Sequence, residues 1–353
     1  MARIFSGIQP SGELHIGNYL GAVKNWVALQ SQYESFICVV NYHAITLPYA
    51  PPDLIARTRD MAIGLIASGI DPERCTLFIQ SQVPEHTELA WIFNTLTPLG
   101  ELERQTQFKE KSRRVTSERD GRVTSEGDAR GVSQQQVMAG ILNYPVLQAA
   151  DILLYLADLV PVGEDQIQHL ELSRVIARNW NARFAPEKPF FPEPQPKLTQ
   201  TRRIVGLDGQ AKMSKSLGNT IGILETPEAM WDKLRSAVTD PARQKKTDAG
   251  EPDKCPIIYQ LHKAFSPADV VAEVEANCRG AKWGCIDCKK SLHGHLVAEF
   301  APIRSRAQEL AAVPAKVSEI MDAGAERARV VAQATLGEVK ERMGLPGARA
   351  PVS

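Results

Sequence analysis

Apolar residues in the first two-thirds of the chain recur in two alternating forms. Short continuous runs occur at Ile4–Phe5, Ser35–Val40 (SFICVV), Thr76–Gln80 (TLFIQ) and Val160–Val162. This is the pattern of strands covered on both faces of a parallel sheet. Between them, apolar residues fall at three- and four-residue spacing. The first such segment, Gly17–Gln32, carries Tyr19, Leu20, Val23, Trp26 and Val27 on one face. Further helices are predicted from Pro51-Pro52 to about Ser68, from about Glu85, over 101–111 (polar), over Gln134–Ala157, and through His169, Leu172 and Ile176. Strand–helix alternation of this length predicts an α/β domain with a doubly wound parallel sheet. The proline-rich stretch 184–196 reads as an irregular connector, and Arg203–Val205 as a short strand before the Asp208-Gly209 turn. From Pro227 the alternation stops. Leu261–Asn277, Leu292–Leu310 and Val313–Met343 are helical in period, with Pro302 and Pro314 at helix starts or bends. Two domains are expected, 1–223 with the sheet and 224–353 all helical.

Composition changes this picture little. The chain has 353 residues, 43% hydrophobic and 23% charged, with formal net charge +0. That is an ordinary balance for a globular protein. The neutral total gives no global sign of nucleic-acid binding, although a local basic face remains open. There is no apolar run of membrane-spanning length and no leader pattern, so a cytoplasmic protein with neither membrane nor DNA partner is expected. Residues 112–131 break the pattern with a tandem near-repeat, RVTSERD then RVTSEGD, of little apolar content. Such a segment gains too little burial to repay its ordering entropy and is expected to be a mobile surface insertion.

Four places carry candidate chemistry. The opening IFSGIQPSGELHIGNYLGA passes from a strand through a small-residue turn (Gly7, Gly12) into a helix start at Gly17. Such an arrangement either presents backbone N–H groups to a phosphate or is a plain structural turn. It lacks the glycine spacing of a dinucleotide loop. Lys212-Met-Ser-Lys-Ser216 places two lysines among serines, fit for a phosphate grip or merely a solvated loop. Asp151 lies in an otherwise apolar helical run, two turns after Tyr144 on the same face, where a carboxylate needs a partner. Cys255, Cys278, Cys285 and Cys288 are spaced C-x22-C-x6-C-x2-C, a pattern that suggests metal ligands more than disulfides in a cytoplasmic chain. Four thiolates suit zinc or a four-iron four-sulfur cluster, and the long first interval favours zinc.

These residues carry a resemblance. The chain resembles the bacterial-type tryptophanyl-tRNA synthetases of class I, along nearly its whole length and in order. His15-Ile-Gly-Asn18 looks like the first class signature, with asparagine in place of a second histidine, and Lys212–Ser216 like the second. The Phe5–Ser11 opening, His43–Thr46, Gln107–Lys111, Ala150–Tyr155 and Gly163–Gln166 resemble the tryptophan branch in particular. Gln148 stands where many bacterial relatives have methionine. The resemblance implies a Rossmann-like catalytic domain, ATP-dependent activation of L-tryptophan to the adenylate, transfer to tRNA(Trp), one Mg²⁺ ion and a homodimer. It implies an ATP site of Gln9, Pro10, Ser11, Gly17, Asn18, Gly163, Glu164, Asp165, Ile204, Lys212, Met213, Ser214, Lys215 and Ser216, with Lys109 and Lys111 as further phosphate contacts. His15, Lys212 and Lys215 would stabilise the reacting phosphates. Asp151 would accept the indole N–H, with Phe5, Tyr144, His43 and Gln166 around the amino acid. For the cysteines it implies a four-iron four-sulfur cluster in a helical anticodon-binding domain, with zinc the lesser alternative. A tyrosine-specific relative, or a catalytically silent RNA-binding homologue, are the competing readings.

Overall fold

The computed structural model describes residues 1–105, 138–163, 166–198, 204–211, 213–214 and 217–346. The expected insertion at 112–131, and the end of the polar helix of 101–111, lie outside them.

Four of the predicted strands and one further strand form a single sheet. β1 (Arg3–Ile8), β2 (Glu34–Val39), β3 (Thr76–Ile79), β4 (Leu159–Val162) and β5 (Gln195–Leu198) are ordered β3-β2-β1-β4-β5, and every pairing is parallel. The order reverses between β1 and β4, so the sheet is doubly wound, with its crevice at the strands' C-terminal ends. β5 corrects the sequence reading: it lies at the end of the stretch taken as irregular. Its residues Gln-Pro-Lys-Leu show no buried apolar run because it is an edge strand, and Pro196 is tolerated there. Only Ile204 and Val205 of the strand expected at 203–205 are described, and they fall in no named strand.

Strand alternation sorts the core into two layers. Ile37, Val39 and Leu77 face one, with the α4 helix (Pro51–Ala67); Phe36, Cys38 and Phe78 face the other, with helices α5 (Glu85–Asn94), α7 (Ala139–Leu153) and α8 (Ile167–Phe184). The helices α1 (Ile16–Asn18), α2 (Lys24–Leu29), α3 (Asn41–Ala44) and α6 (Leu99–Glu103) are short, and α1 and α2 are joined by a π-helical turn over Tyr19–Val23.

From Pro227 every named element is helical: α9 (Pro227–Ser236), a short 3₁₀ turn (Pro252–Lys254), α10 (Ile258–Phe265), α11 (Ala268–Arg279), α12 (Cys285–Ala312) and α13 (Pro314–Arg342). The single helix expected over Leu261–Asn277 is two, because Pro267 cannot continue α10 and starts α11 instead. Pro302 stays inside α12, whereas Pro314 opens α13. The last helix crosses the β3 edge of the sheet. Val317 and Met321 enter one layer, Ala325, Ala328, Ala332, Leu336 and Val339 the other. At the crossing Gly324 lies against the β3 backbone: a Cβ there would sit 1.7 Å from the Leu77 carbonyl oxygen. The edge strand is thereby covered.

Candidate active site

Several of the expected site residues lie near the C-terminal ends of β1 to β4. Gln9, Pro10 and Ser11 follow β1, and Gly12, at φ +140°, makes a turn that a residue with a side chain would adopt only under strain. His15 then caps α1: its Nδ1 accepts the Asn18 N–H at 3.3 Å, and Asn18 Oδ1 receives the His15 N–H at 3.5 Å. Flanking this cap, Ile16 N–H bonds Ile221 O and Ile223 N–H bonds Leu14 O, both at 2.9 Å. Met213 lies against Gly17, where an added Cβ would be 3.3 Å from the Met213 Cβ. Two motifs some two hundred residues apart in sequence therefore share one wall. Ser214 is held by Asn219, whose Oδ1 accepts the Ser214 N–H at 2.7 Å while its Nδ2 donates to Asp208 at 2.8 Å. Ile204 is partly buried against the core. Gly163 directly follows β4, and its carbonyl accepts the Gln166 N–H at 3.0 Å. Lys109, Lys111, Glu164, Asp165, Lys212, Lys215 and Ser216 lie outside the described residues.

Asp151 is 1% exposed and has three donors. His43 Nε2 is 2.8 Å from Oδ2, while Gln80 Nε2 and His86 Nδ1 are 2.7 Å and 2.6 Å from Oδ1. Burial alone would raise the carboxyl pKa, but the hydrogen bonds from His43 and His86 outweigh it and hold the group below the usual carboxylate range. It is an ionised carboxylate in a dry setting. Gln80, at the end of β3, also accepts the Tyr42 N–H at 3.0 Å, which ties it to the start of α3. His86 reaches on through Nε2 to the Tyr155 hydroxyl at 2.8 Å. Tyr155 is stacked on Phe5 and Phe36, with ring centres 5.6 Å and 4.5 Å away, so Phe5 supports the network from below. Tyr144 meets the His43 ring edge to face at 6.2 Å. Its hydroxyl is 3.0 Å from His169 Nε2, and His169 Nδ1 is 3.1 Å from Gln166 Oε1. Asp151, His43, Tyr144, Gln166 and Phe5 are thus connected as one polar-aromatic cluster. Sequence reasoning missed Gln80, His86, Tyr155 and His169. Its one available signal was that a buried carboxylate requires donors.

Known proteins share this architecture and much of this sequence. The family model for class I tRNA synthetases (W and Y) matches residues 1–301. Tryptophan–tRNA ligase of Deinococcus radiodurans is 49% identical over 349 residues, covering 98% of this chain and 99% of its own. The corresponding ligase of Gloeobacter violaceus is 44% identical over 349 residues, covering 97% and 96%. The crystal structure of tryptophanyl-tRNA synthetase from Campylobacter jejuni, complexed with ADP and tryptophan, superposes with a TM-score of 0.82 at 34% identity, covering 97% of this chain and all of that one. The chain belongs to the class I tRNA synthetases of the tryptophan and tyrosine branch.

In this synthetase the four clustered cysteines line one cavity, together with Thr239, Asp240, Arg243, Ile258, Val274 and Trp283. Burial, and then its three neighbouring thiols, push the Cys288 thiol up to about 12. Arg243 reaches to 3.7 Å from Cys278 Sγ and also bonds the Trp283 carbonyl, and Cys288 Sγ is 3.5 Å from His262 Nε2. Among the described residues no group of three or more His, Cys, Asp or Glu side chains is disposed to hold a metal ion. The expected tetrathiolate therefore exists as a shared cavity, not as a closed cage.

Proposed function

We propose that this synthetase is a tryptophan–tRNA ligase: it activates L-tryptophan with ATP and transfers the tryptophanyl group to tRNA(Trp). The near-full-length identity with curated tryptophan–tRNA ligases carries the reading. The ionised Asp151, hydrogen-bonded to His43, supports it. In the first step the tryptophan carboxylate attacks the α-phosphorus of ATP in line. The new C–O–P bond forms as the bond to the bridging oxygen breaks, and pyrophosphate leaves with the electron pair. The nucleophile is already an anion, so no general base is required. Positioning and charge stabilisation carry the step.

Gln9, Pro10, Ser11, Gly17, Asn18 and Gly163 form the fixed side of the nucleotide site, with Glu164 and Asp165 beside the ribose and Ile204 near the adenine. His15, Lys212 and Lys215, with Met213, Ser214 and Ser216, attend the phosphates, and Lys109 and Lys111 are further phosphate contacts. Mg²⁺, when bound with ATP, adds positive charge at the phosphates. A terminal ribose hydroxyl of the tRNA then attacks the tryptophanyl carbonyl carbon and releases AMP.

Asp151 accepts the indole N–H, while Phe5, Tyr144, His43 and Gln166 bound the amino acid. Phenylalanine has no such N–H and would leave a desolvated acceptor unmatched, so selectivity needs no editing site. ATP–pyrophosphate exchange, run separately with tryptophan and tyrosine, tests the reading. Exchange with tyrosine alone, or with neither, defeats it.

Residues 224–353 serve as the tRNA anticodon-binding part. Cys255, Cys278, Cys285 and Cys288 suit a four-iron four-sulfur cluster there: four soft ligands open on one cavity. A single zinc ion would require all four sulfurs within about 2.3 Å of one point. A four-iron four-sulfur cluster would be held by one thiolate from each of Cys255, Cys278, Cys285 and Cys288, the four that line this cavity. The cluster, when bound, would cross-link the segments bearing these cysteines. Iron and sulfide analysis of anaerobically purified protein tests the assignment.

A cytoplasmic homodimer fits the same function. No helix among the described residues is long and apolar enough to cross a membrane. Among the described residues, apolar side chains exposed on the catalytic half, Trp91 at 71% exposure with Ile45, Leu47, Tyr49 and Met138 around the same cleft, support self-association through that half.

A further inference from the structure

The hydrogen bonds at Asp151 are unequally divided between its two oxygens, and the division has consequences for recognition. Each carboxylate oxygen has two lone pairs in the plane of the group. Oδ1 receives Gln80 Nε2 at 2.7 Å and His86 Nδ1 at 2.6 Å, so both of its acceptor sites are filled from within the protein. Oδ2 receives one donor, His43 at 2.8 Å. We propose that Gln80 and His86 are specificity-determining positioning residues: by saturating Oδ1 they turn Oδ2 toward the amino-acid pocket as the single acceptor for the indole N–H. The inference rests on the reading of Asp151 as that acceptor and deepens it.

Both donors are themselves held. Gln80 cannot turn its amide over without losing the Tyr42 N–H, which its Oε1 accepts at 3.0 Å. His86 is fixed by Tyr155. Burial pushes that phenol well above its ordinary pKa, so it keeps its proton and donates to Nε2, which leaves the imidazole proton on Nδ1, facing Asp151. Tyr155 in turn stacks on Phe5 and Phe36, paired neighbours on β1 and β2. An aromatic stack, a phenol, an imidazole and an amide thus set the angle of one carboxylate. Neither His86 nor Gln80 needs to touch tryptophan to do so. Without these donors the carboxylate can rotate, and Oδ1 competes for His43 or for the ligand.

The test compares kcat/KM in ATP–pyrophosphate exchange for tryptophan and for benzothienylalanine, which has sulfur in place of the indole N–H. The ratio of the two reports the N–H contact alone, because a loss of general structure lowers both. His86→Gln withdraws the donor at the Nδ1 position, whereas His86→Asn keeps a donor there and loses only Tyr155. Gln80→Met removes the other donor at nearly constant volume. The ratio is expected to fall about ten-fold or more in His86→Gln and in Gln80→Met. In His86→Asn it should stay within about three-fold of wild type, and KM for ATP should change little throughout. An unchanged ratio in His86→Gln and Gln80→Met overturns the proposal, as does an equal fall in His86→Gln and His86→Asn. Asp151→Asn separates the two levels. If it leaves the ratio unchanged, or if wild type does not discriminate, the acceptor reading itself fails and the proposal with it. If the ratio collapses in Asp151→Asn alone, Asp151 is the acceptor and positioning by Gln80 and His86 is refuted. Should His86→Gln fail to fold, Gln80→Met carries the same comparison.

Discussion

Replacing Gly324 by alanine tests how the C-terminal helix is joined to the sheet. In the middle of a helix this substitution ordinarily stabilises a protein by about 0.5–1 kcal/mol, because glycine loses more backbone freedom on folding. Gly324 should behave oppositely. Its Cβ would lie 1.7 Å from the Leu77 carbonyl oxygen and 2.7 Å from the carbonyl carbon. A close carbon–oxygen contact is about 3.3 Å, so helix and strand must separate by roughly 1.6 Å. Both obstacles are backbone, and neither can rotate away. Separation at this point also loosens Val317 and Met321 in one layer and Ala325 and Ala328 in the other. Overpacking of this kind costs about 1–3 kcal/mol or more, which leaves a net loss of about 2 kcal/mol at the upper figure. At about 2.1 cal/mol/K per residue over 353 residues, the unfolding entropy is about 0.7 kcal/mol/K, so Tm falls by about 3 °C. Gly337 of the same helix is the control, since nothing lies within 4 Å of its Cβ position. Gly337→Ala should raise Tm by about 1 °C. Calorimetry or dye-monitored melting resolves a gap of this size. Should the two alanine variants melt within a degree of each other, helix and strand do not meet backbone to backbone.

Asn219→Ala removes both the anchor of the Ser214 N–H and the tie to Asp208; KM for ATP in pyrophosphate exchange should rise several-fold, about what one or two lost hydrogen bonds produce, with KM for tryptophan nearly unchanged. Equal rises in both would point to general loosening instead of a local effect on the phosphate loop. Cys285→Ser should abolish any brown chromophore and weaken tRNA charging more than adenylate formation; equal losses in the two assays count against an anticodon-side role. The folded-state pKa of Asp151 is depressed, so its carboxylate contributes stability above the unfolded value near pH 4, and that contribution fades as pH falls through the folded value. The Tm difference between wild type and Asp151→Asn should therefore narrow below about pH 4; a gap that widens on acidification contradicts an ionised Asp151.

The sheet was legible because β2 and β3 are buried on both faces and read as unbroken apolar runs. β5 was not, since a polar edge strand gains its place from one parallel partner and not from burial. Helix existence was clear from spacing, while ends were set by particular residues such as Pro267. The π-helical turn after α1 had no sequence signature at all. Nor could periodicity reveal that α13 changes layers at Gly324: an isolated glycine in a helical pattern reads as a small cost, and its reason is a carbonyl almost two hundred and fifty residues earlier.

The site divides along the same line. Local geometry around residues 15–18 follows from local sequence, because a cap and its partner are three residues apart. Pairing of Leu14–Ile16 with Ile221–Ile223 is long-range and is carried by backbone groups, to which side-chain identity is blind. Asp151 lies between these cases. A carboxylate in an apolar helix announces that donors must exist, since an unpaired buried charge would neutralise itself or unfold its surroundings. It does not say which donors. His43, Gln80 and His86 come from the ends of two different strands and from the helix that follows, at separations of 108, 71 and 65 residues. Only the parallel order β3-β2-β1-β4 brings those ends side by side over α7. In this synthetase the requirement for partners is written in one residue, and the identity of the partners is written in the topology.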